Sequence, residues 1–180
     1  MNRFIKWAQR EYGVRQRLIA LLVAGILVVI VLPILLLRAA SALDQRLLLP
    51  RCFFGLPNYL LGGFIAAIGF FFAMWSVQIQ FTRGRGTPIP VIAAQKLVVD
   101  GPFVYCRNPM SFGIFLYYGG FGIWVGSISA IVIVLIFAIL LVGYIKVFEE
   151  KELEVRFGAE YLEYKQNTPF LVPNLRSRKG

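Results

Sequence analysis

The residues able to do chemistry stand in two short stretches. The first reads Gly101-Pro102-Phe103-Val104-Tyr105-Cys106-Arg107-Asn108-Pro109-Met110-Ser111-Phe112-Gly113. The second reads Phe148-Glu149-Glu150-Lys151-Glu152-Leu153, then Phe157-Gly158-Ala159-Glu160-Tyr161-Leu162-Glu163-Tyr164. Arg107 and Asn108 directly precede a proline, which is accepted in a first helical turn because its missing N–H has no role there. Asn108 therefore falls at a helix start, where asparagine also serves as a cap. Glu149 and Glu150 close an apolar run. If the helix stops there, the acids oppose its dipole and need another reason, such as a bound cation. If it continues, a solvated face accounts for them. The chain has no histidine, which removes Ser–His and Cys–His nucleophilic catalysis and imidazole proton transfer. The two cysteines, Cys52 and Cys106, form no CxxC pair. No zinc or iron–sulfur site is built from them, and no metal is expected.

These stretches are positioned by long apolar runs. Of the 180 residues, 58% are hydrophobic and 16% charged, against about 45–50% and 25% for a soluble domain. The runs are Leu18–Leu37, Tyr59–Ile79, Met110–Val125 and Ser127–Phe148. A span needs about 20 apolar residues, so the third run is short. Ala40-Ser41-Ala42 resembles a signal-peptidase site, but the first run is longer than a signal h-region and Arg38 intervenes. In the second run Gly62, Gly63 and Gly69 allow close helix approach, and Trp75 suits an interface anchor. Little more than Gly126 separates the last two runs, which implies a tight hairpin. Gln80–Arg107 carries Gly84, Gly86, Pro88 and Pro90 and reads as a loop. Glu149–Asn167 reads as an amphipathic helix, with Leu153, Phe157, Tyr161 and Tyr164 on one face. The expected fold is all-α and polytopic, with about four transmembrane helices. Residues 1–79 hold a basic segment and two spans, and residues 80–180 hold the chemistry, within one compact membrane domain.

The net charge is +10. The cations flank the apolar runs, where they meet anionic lipid head groups. No nucleic-acid-binding motif accompanies them, so membrane lipid is the expected partner and nucleic acid is not. Five Lys and Arg precede the first run, three follow it, four lie in the Gly/Pro loop and seven from Lys146 onward. The positive-inside rule then places both termini and the Gly/Pro loop in the cytoplasm, as in a bacterial inner-membrane protein.

Together the two stretches resemble the isoprenylcysteine carboxyl methyltransferase and phospholipid methyltransferase superfamily. The pattern is a Gly-x-(Tyr/Phe) turn, an Arg-(His/Asn)-Pro opening a helix hairpin, a Glu-Glu pair, then Phe-Gly-x-x-Tyr-x-x-Tyr and a closing proline. It covers about Thr87 to Pro173, with Gly86-Thr87-Pro88 and Leu97-Val98 also similar to prokaryotic members, and nothing comparable in residues 1–79. The resemblance implies an S-adenosylmethionine-dependent methyltransferase whose cytoplasmic pocket is closed by the C-terminal helix. It implies cofactor contacts at Gln95, Lys96, Leu97, Val98, Phe103, Asn108, Pro109, Met110, Ser111 and Glu149, with Arg107, Gly113 and Glu150 in support. The implied partner is a lipophilic small molecule or prenylated substrate.

The chain departs from the pattern in three places. Asn108 stands where many relatives have histidine and does not titrate. Ser111 replaces a tyrosine, with Phe112 the neighbouring aromatic. Ile145 replaces an arginine associated with the prenylcysteine substrate, with Lys146 beside it as the nearest candidate substrate contact. Two other readings compete. A sterol-reductase-like membrane oxidoreductase would present basic groups to its nicotinamide cofactor, which the Glu149–Glu150 pair opposes. A non-catalytic membrane scaffold is the other.

Overall fold

The computed structural model describes residues 13–52, 54–84 and 96–174. These residues are helical, with no strand among them. Helix α1 spans Val14–Arg46, α2 Leu56–Thr82, α3 Pro109–Val125, α4 Ile128–Phe157 and α5 Ala159–Asn167. Helices α1, α2 and α4 are long and apolar enough to cross a membrane. Helix α3, expected as a span, has 17 residues and is about 26 Å long, short of the roughly 30 Å hydrocarbon layer.

Helix α1 contains a π-helical turn at Leu27–Val31, just before Pro33. The Leu32 N–H donates to Leu27 O, five residues back. Pro33 has no N–H, so it serves neither Val28 O nor Val29 O. Helix α3 supplies the missing donors. The Tyr118 hydroxyl donates to Val28 O at 2.8 Å and the Tyr117 hydroxyl to Val29 O at 3.1 Å. In lipid an unpaired backbone carbonyl costs several kcal/mol, so these bonds fix α1 against α3.

Helices α2 and α3 make the most intimate contact. Gly62, Ala66, Gly69, Ala73 and Ser76 form the buried stripe of α2. Opposite them lie Gly113 and Gly120. A methyl group added at Gly113 would stand 2.6 Å from Ala73 N, and one at Gly120 2.5 Å from Ala66 N. Association in lipid relies on such packing, since lipid tails are as apolar as the helices. Gly62 and Gly69 serve this seam as expected, whereas Gly63 has room for a methyl. The hairpin expected between α3 and α4 has its tight turn, with Gly126 at φ 64°, yet α3 packs chiefly on α2 because the small residues face that way.

At the turn end of the bundle, Asp44 accepts from Ser127 Oγ at 2.5 Å and from Ser129 N at 3.0 Å. The Asn58 amide donates to Cys52 O at 2.9 Å and Ile123 O at 2.8 Å. At the other end, Arg17 donates to Phe81 O and lies over the Phe81 ring. The starts of α1 and α3 and the ends of α2 and α4 therefore share one end of the bundle.

The seam yields a prediction. Gly113→Val lowers thermal stability in detergent by an amount typical of core overpacking, about 1–3 kcal/mol. Gly63→Ala changes it by less than about 0.5 kcal/mol. Equal melting temperatures for the two variants would refute the seam.

Candidate active site

The stretch before α3 lies against the end of α2. Gly101, at φ 58°, opens a short 3-10 turn over Gly101–Val104. A methyl at Gly101 would come within 3.0 Å of Ile79 Cγ1 and 3.4 Å of the Trp75 indole nitrogen. Pro102 and Cys106 are fully buried beyond it. Burial pushes the Cys106 thiol up to about 11, so it stays protonated near neutral pH and is a poor nucleophile.

Arg107 is the hub. Its Nη1 donates to Glu150 Oε1, and its Nε donates to Thr168 O at 3.1 Å. Its backbone N–H donates to Pro169 O at 2.8 Å. The Tyr161 hydroxyl stands 3.4 Å from Nη1. Asn108 occupies the cap position of α3, but its side chain caps nothing. It donates instead to Phe170 O at 2.9 Å. The Asn174 N–H donates to Tyr105 O at 3.0 Å. The tail is thus pinned to the stretch preceding α3 by backbone and side chain alike.

Helix α4 does not stop at the acidic pair. It passes through a second π turn, Ile145–Glu149, and continues to Phe157. The face is nevertheless not solvated, because Glu150 is 6% exposed. Its second oxygen pairs with Lys165 Nζ at 2.8 Å, and Lys165 also reaches Glu154 at 2.8 Å. Glu149 has no hydrogen bond or ion pair among the described residues. The expected single helix over Glu149–Asn167 is broken at Gly158, where φ is 54°. Glycine takes that conformation at little steric cost, and α5 turns back across the end of the bundle. Its Tyr161 is almost fully buried, and the Tyr164 hydroxyl donates to Phe103 O at 2.7 Å.

These pieces enclose a cleft of about 80 Å³. Lys96, Leu97, Val98, Phe103, Arg107, Asn108, Glu149 and Glu150 line it. Pro109, Met110 and Ser111 do not, since Pro109 and Ser111 are buried in the first turn of α3. Gln95 lies outside the described residues. Phe112 is no substitute wall for the cleft: it packs edge-on against Phe72 at 5.7 Å in the α2–α3 interface. Lys146 points away, its ammonium 4.9 Å from the Phe170 ring. The cleft also takes in Gln80, Ile145, Leu153, Phe157, Tyr161 and Tyr164. The three- and four-residue spacing of the last four marked a common face, and only the break at Gly158 places it on two helices. Gln80 carried no such signal, and Ile145 was marked only as the place of the substrate-associated arginine in the family pattern. Among the described residues no group of three or more His, Cys, Asp or Glu could hold a metal ion.

An apolar helical bundle with this cleft at one end defines a polytopic membrane protein. A family model for phospholipid methyltransferase matches residues 57–160. The chain belongs to that family and is a membrane methyltransferase. The match starts upstream of the limit read from motifs, because it takes in α2, whose seam with α3 carries no polar signature. No curated protein and no solved structure matches the chain.

Two predictions follow from the hub. The Arg107 and Glu150 side chains are 10% and 8% exposed, and removing one partner of a buried pair costs about 3–5 kcal/mol. Glu150→Ala should cost this much in detergent melts, and Arg107→Met with Glu150→Leu together much less. Hydrogen bonding to Glu150, then to Glu154, holds the Lys165 ammonium above its ordinary 10.5. Its contribution is complete below that pH and is lost as pH rises through the raised value. Limited proteolysis beyond residue 158 should therefore accelerate only above about pH 10.5, and Lys165→Met should remove the part of that dependence due to Lys165.

Proposed function

We propose that the protein transfers a methyl group from S-adenosylmethionine to a lipid-like acceptor arriving from the membrane. The observation that carries this reading is Glu149: a carboxylate lining a mostly apolar cleft, with no cation paired to it among the described residues. A bound cation is the natural complement of such a group. When bound, S-adenosylmethionine supplies an electrophilic methyl on a cationic sulfonium beside an α-ammonium.

Glu149 would hold the positive part of the cofactor, and Lys96 would meet its carboxylate. Phe103, Tyr161 and Tyr164 offer aromatic faces, which also attract cations. Leu97, Val98, Leu153 and Phe157 would exclude water from the reacting centre. Methyl displacement asks chiefly for alignment, so the lack of histidine is no obstacle. A carboxylate acceptor needs no base, and an amine need only be neutral. Ile145, 2% exposed at the cleft wall, leaves that position apolar and argues against a prenylcysteine carboxylate. The excess of Lys and Arg at this end supports a cytoplasmic site, with both termini on that side of a bacterial inner membrane.

Calorimetry on the purified protein in detergent tests the reading. Wild type should bind S-adenosylmethionine, and Glu149→Gln should weaken binding by about tenfold or more, the worth of a charge-assisted hydrogen bond. A folded wild type that binds none overturns the proposal, and binding of a reduced nicotinamide cofactor instead would favour the reductase reading.

A further inference from the structure

Ligand sites for drug-sized molecules measure about 300–1,000 Å³, whereas the cleft encloses about 80 Å³. A second cavity of about 360 Å³ lies beside it, lined by Tyr105, Glu160, Glu163 and Asn167 among others. Among the described residues Tyr164 alone lines both. The partition is one residue thick. Val98, Phe103 and Tyr161 face the inner cleft, while their chain neighbours Val99, Val104 and Glu160 face the outer cavity.

We propose that Tyr164 divides one cofactor site into two chambers, the outer of which receives the nucleoside half of S-adenosylmethionine. The inference rests on the methyl-donor reading above and adds where the cofactor fits and which side chain admits it. The inner chamber holds Glu149 and suits the sulfonium and amino-acid end. The outer chamber has the volume that the inner one lacks. Its Tyr105 and Tyr164 rings offer flat faces to a purine, and the Glu160 and Glu163 carboxylates offer acceptors to the two ribose hydroxyls. One hydrogen bond, from the Tyr164 hydroxyl to Phe103 O at 2.7 Å, closes the passage. Burial pushes the Tyr164 phenol up, so it remains a donor near neutral pH. Rotation of this one side chain joins the chambers without disturbing the Arg107–Glu150 pair.

The test uses the full chain in detergent and surface plasmon resonance with S-adenosylmethionine. In Tyr164→Phe the ring stays and the latch is lost. Association and dissociation should both accelerate about two- to tenfold, as expected for one neutral hydrogen bond, with affinity little changed. Glu163→Trp, at an exposed position, fills the outer chamber. It should weaken binding about tenfold or more and abolish competition by adenosine, while its melting temperature matches wild type. Wild-type rates in the first variant and wild-type affinity in the second overturn the two-chamber site while leaving the methyl-donor reading standing. Failure of the wild type to bind S-adenosylmethionine overturns both.

Discussion

The buried ion pair between Arg107 and Glu150 is the interaction on which the functional end of this protein depends. It joins the stretch before α3 to the end of α4, two segments more than forty residues apart. A buried pair of this kind gains little net stability over an apolar replacement, yet leaving one member unpaired is expensive. Its consequence is geometric. With Glu150 committed to Arg107 and Lys165, the adjacent Glu149 is the carboxylate left to face the cleft. The same arginine gathers the carbonyls of Thr168, through its side chain, and Pro169, through its backbone N–H, so the pair and the tail meet at one residue.

The two π turns show how an all-helical membrane protein departs from regular geometry at a purpose. The turn at Ile145–Glu149 falls where α4 leaves the apolar bundle and enters the site. Inserting such a turn rotates the helix beyond it relative to the helix before it. Ile145, Glu149, Glu150, Leu153 and Phe157 consequently share one cleft, although an undisturbed α-helix would fan them more widely. The turn in α1 answers instead to Pro33, and its loose carbonyls are met from outside by tyrosines.

Much of this was legible in the sequence. The apolar runs located the long helices because crossing hydrocarbon leaves few alternatives to a run of twenty apolar residues. The helix ends were less legible: α1 and α2 extend past their apolar runs into polar residues that favour helix as much as loop. The two stretches that build the cleft were legible because Arg107-Asn108-Pro109 and Glu149-Glu150 stand out against an apolar background. Lys96, Leu97, Val98 and Phe103 line the cleft, whereas Pro109, Met110 and Ser111 do not. A motif marks the neighbourhood of a site, and the helical turn that follows Pro109 decides which of its members face inward. The clasp between Asn108 and Phe170 and the pairing of Lys165 with Glu150 join residues far apart in sequence. No local pattern announces them. Gly158 was the one readable clue to the break between α4 and α5, since a glycine after a helical run often takes the positive φ that ends it.

The proline-widened turn of α1 bears on how the chain is assembled. α1 lies outside the residues matched by the family model and emerges from the ribosome long before α3. Until α3 arrives, the carbonyls of Val28 and Val29 lack their tyrosine donors in the middle of the helix most exposed to lipid. α1 therefore enters the bilayer as an incomplete element, matured only by a partner synthesised about ninety residues later. The order of synthesis thus separates the widened turn from the tyrosines that complete it, and α1 depends on a later helix for hydrogen bonds its own backbone cannot make.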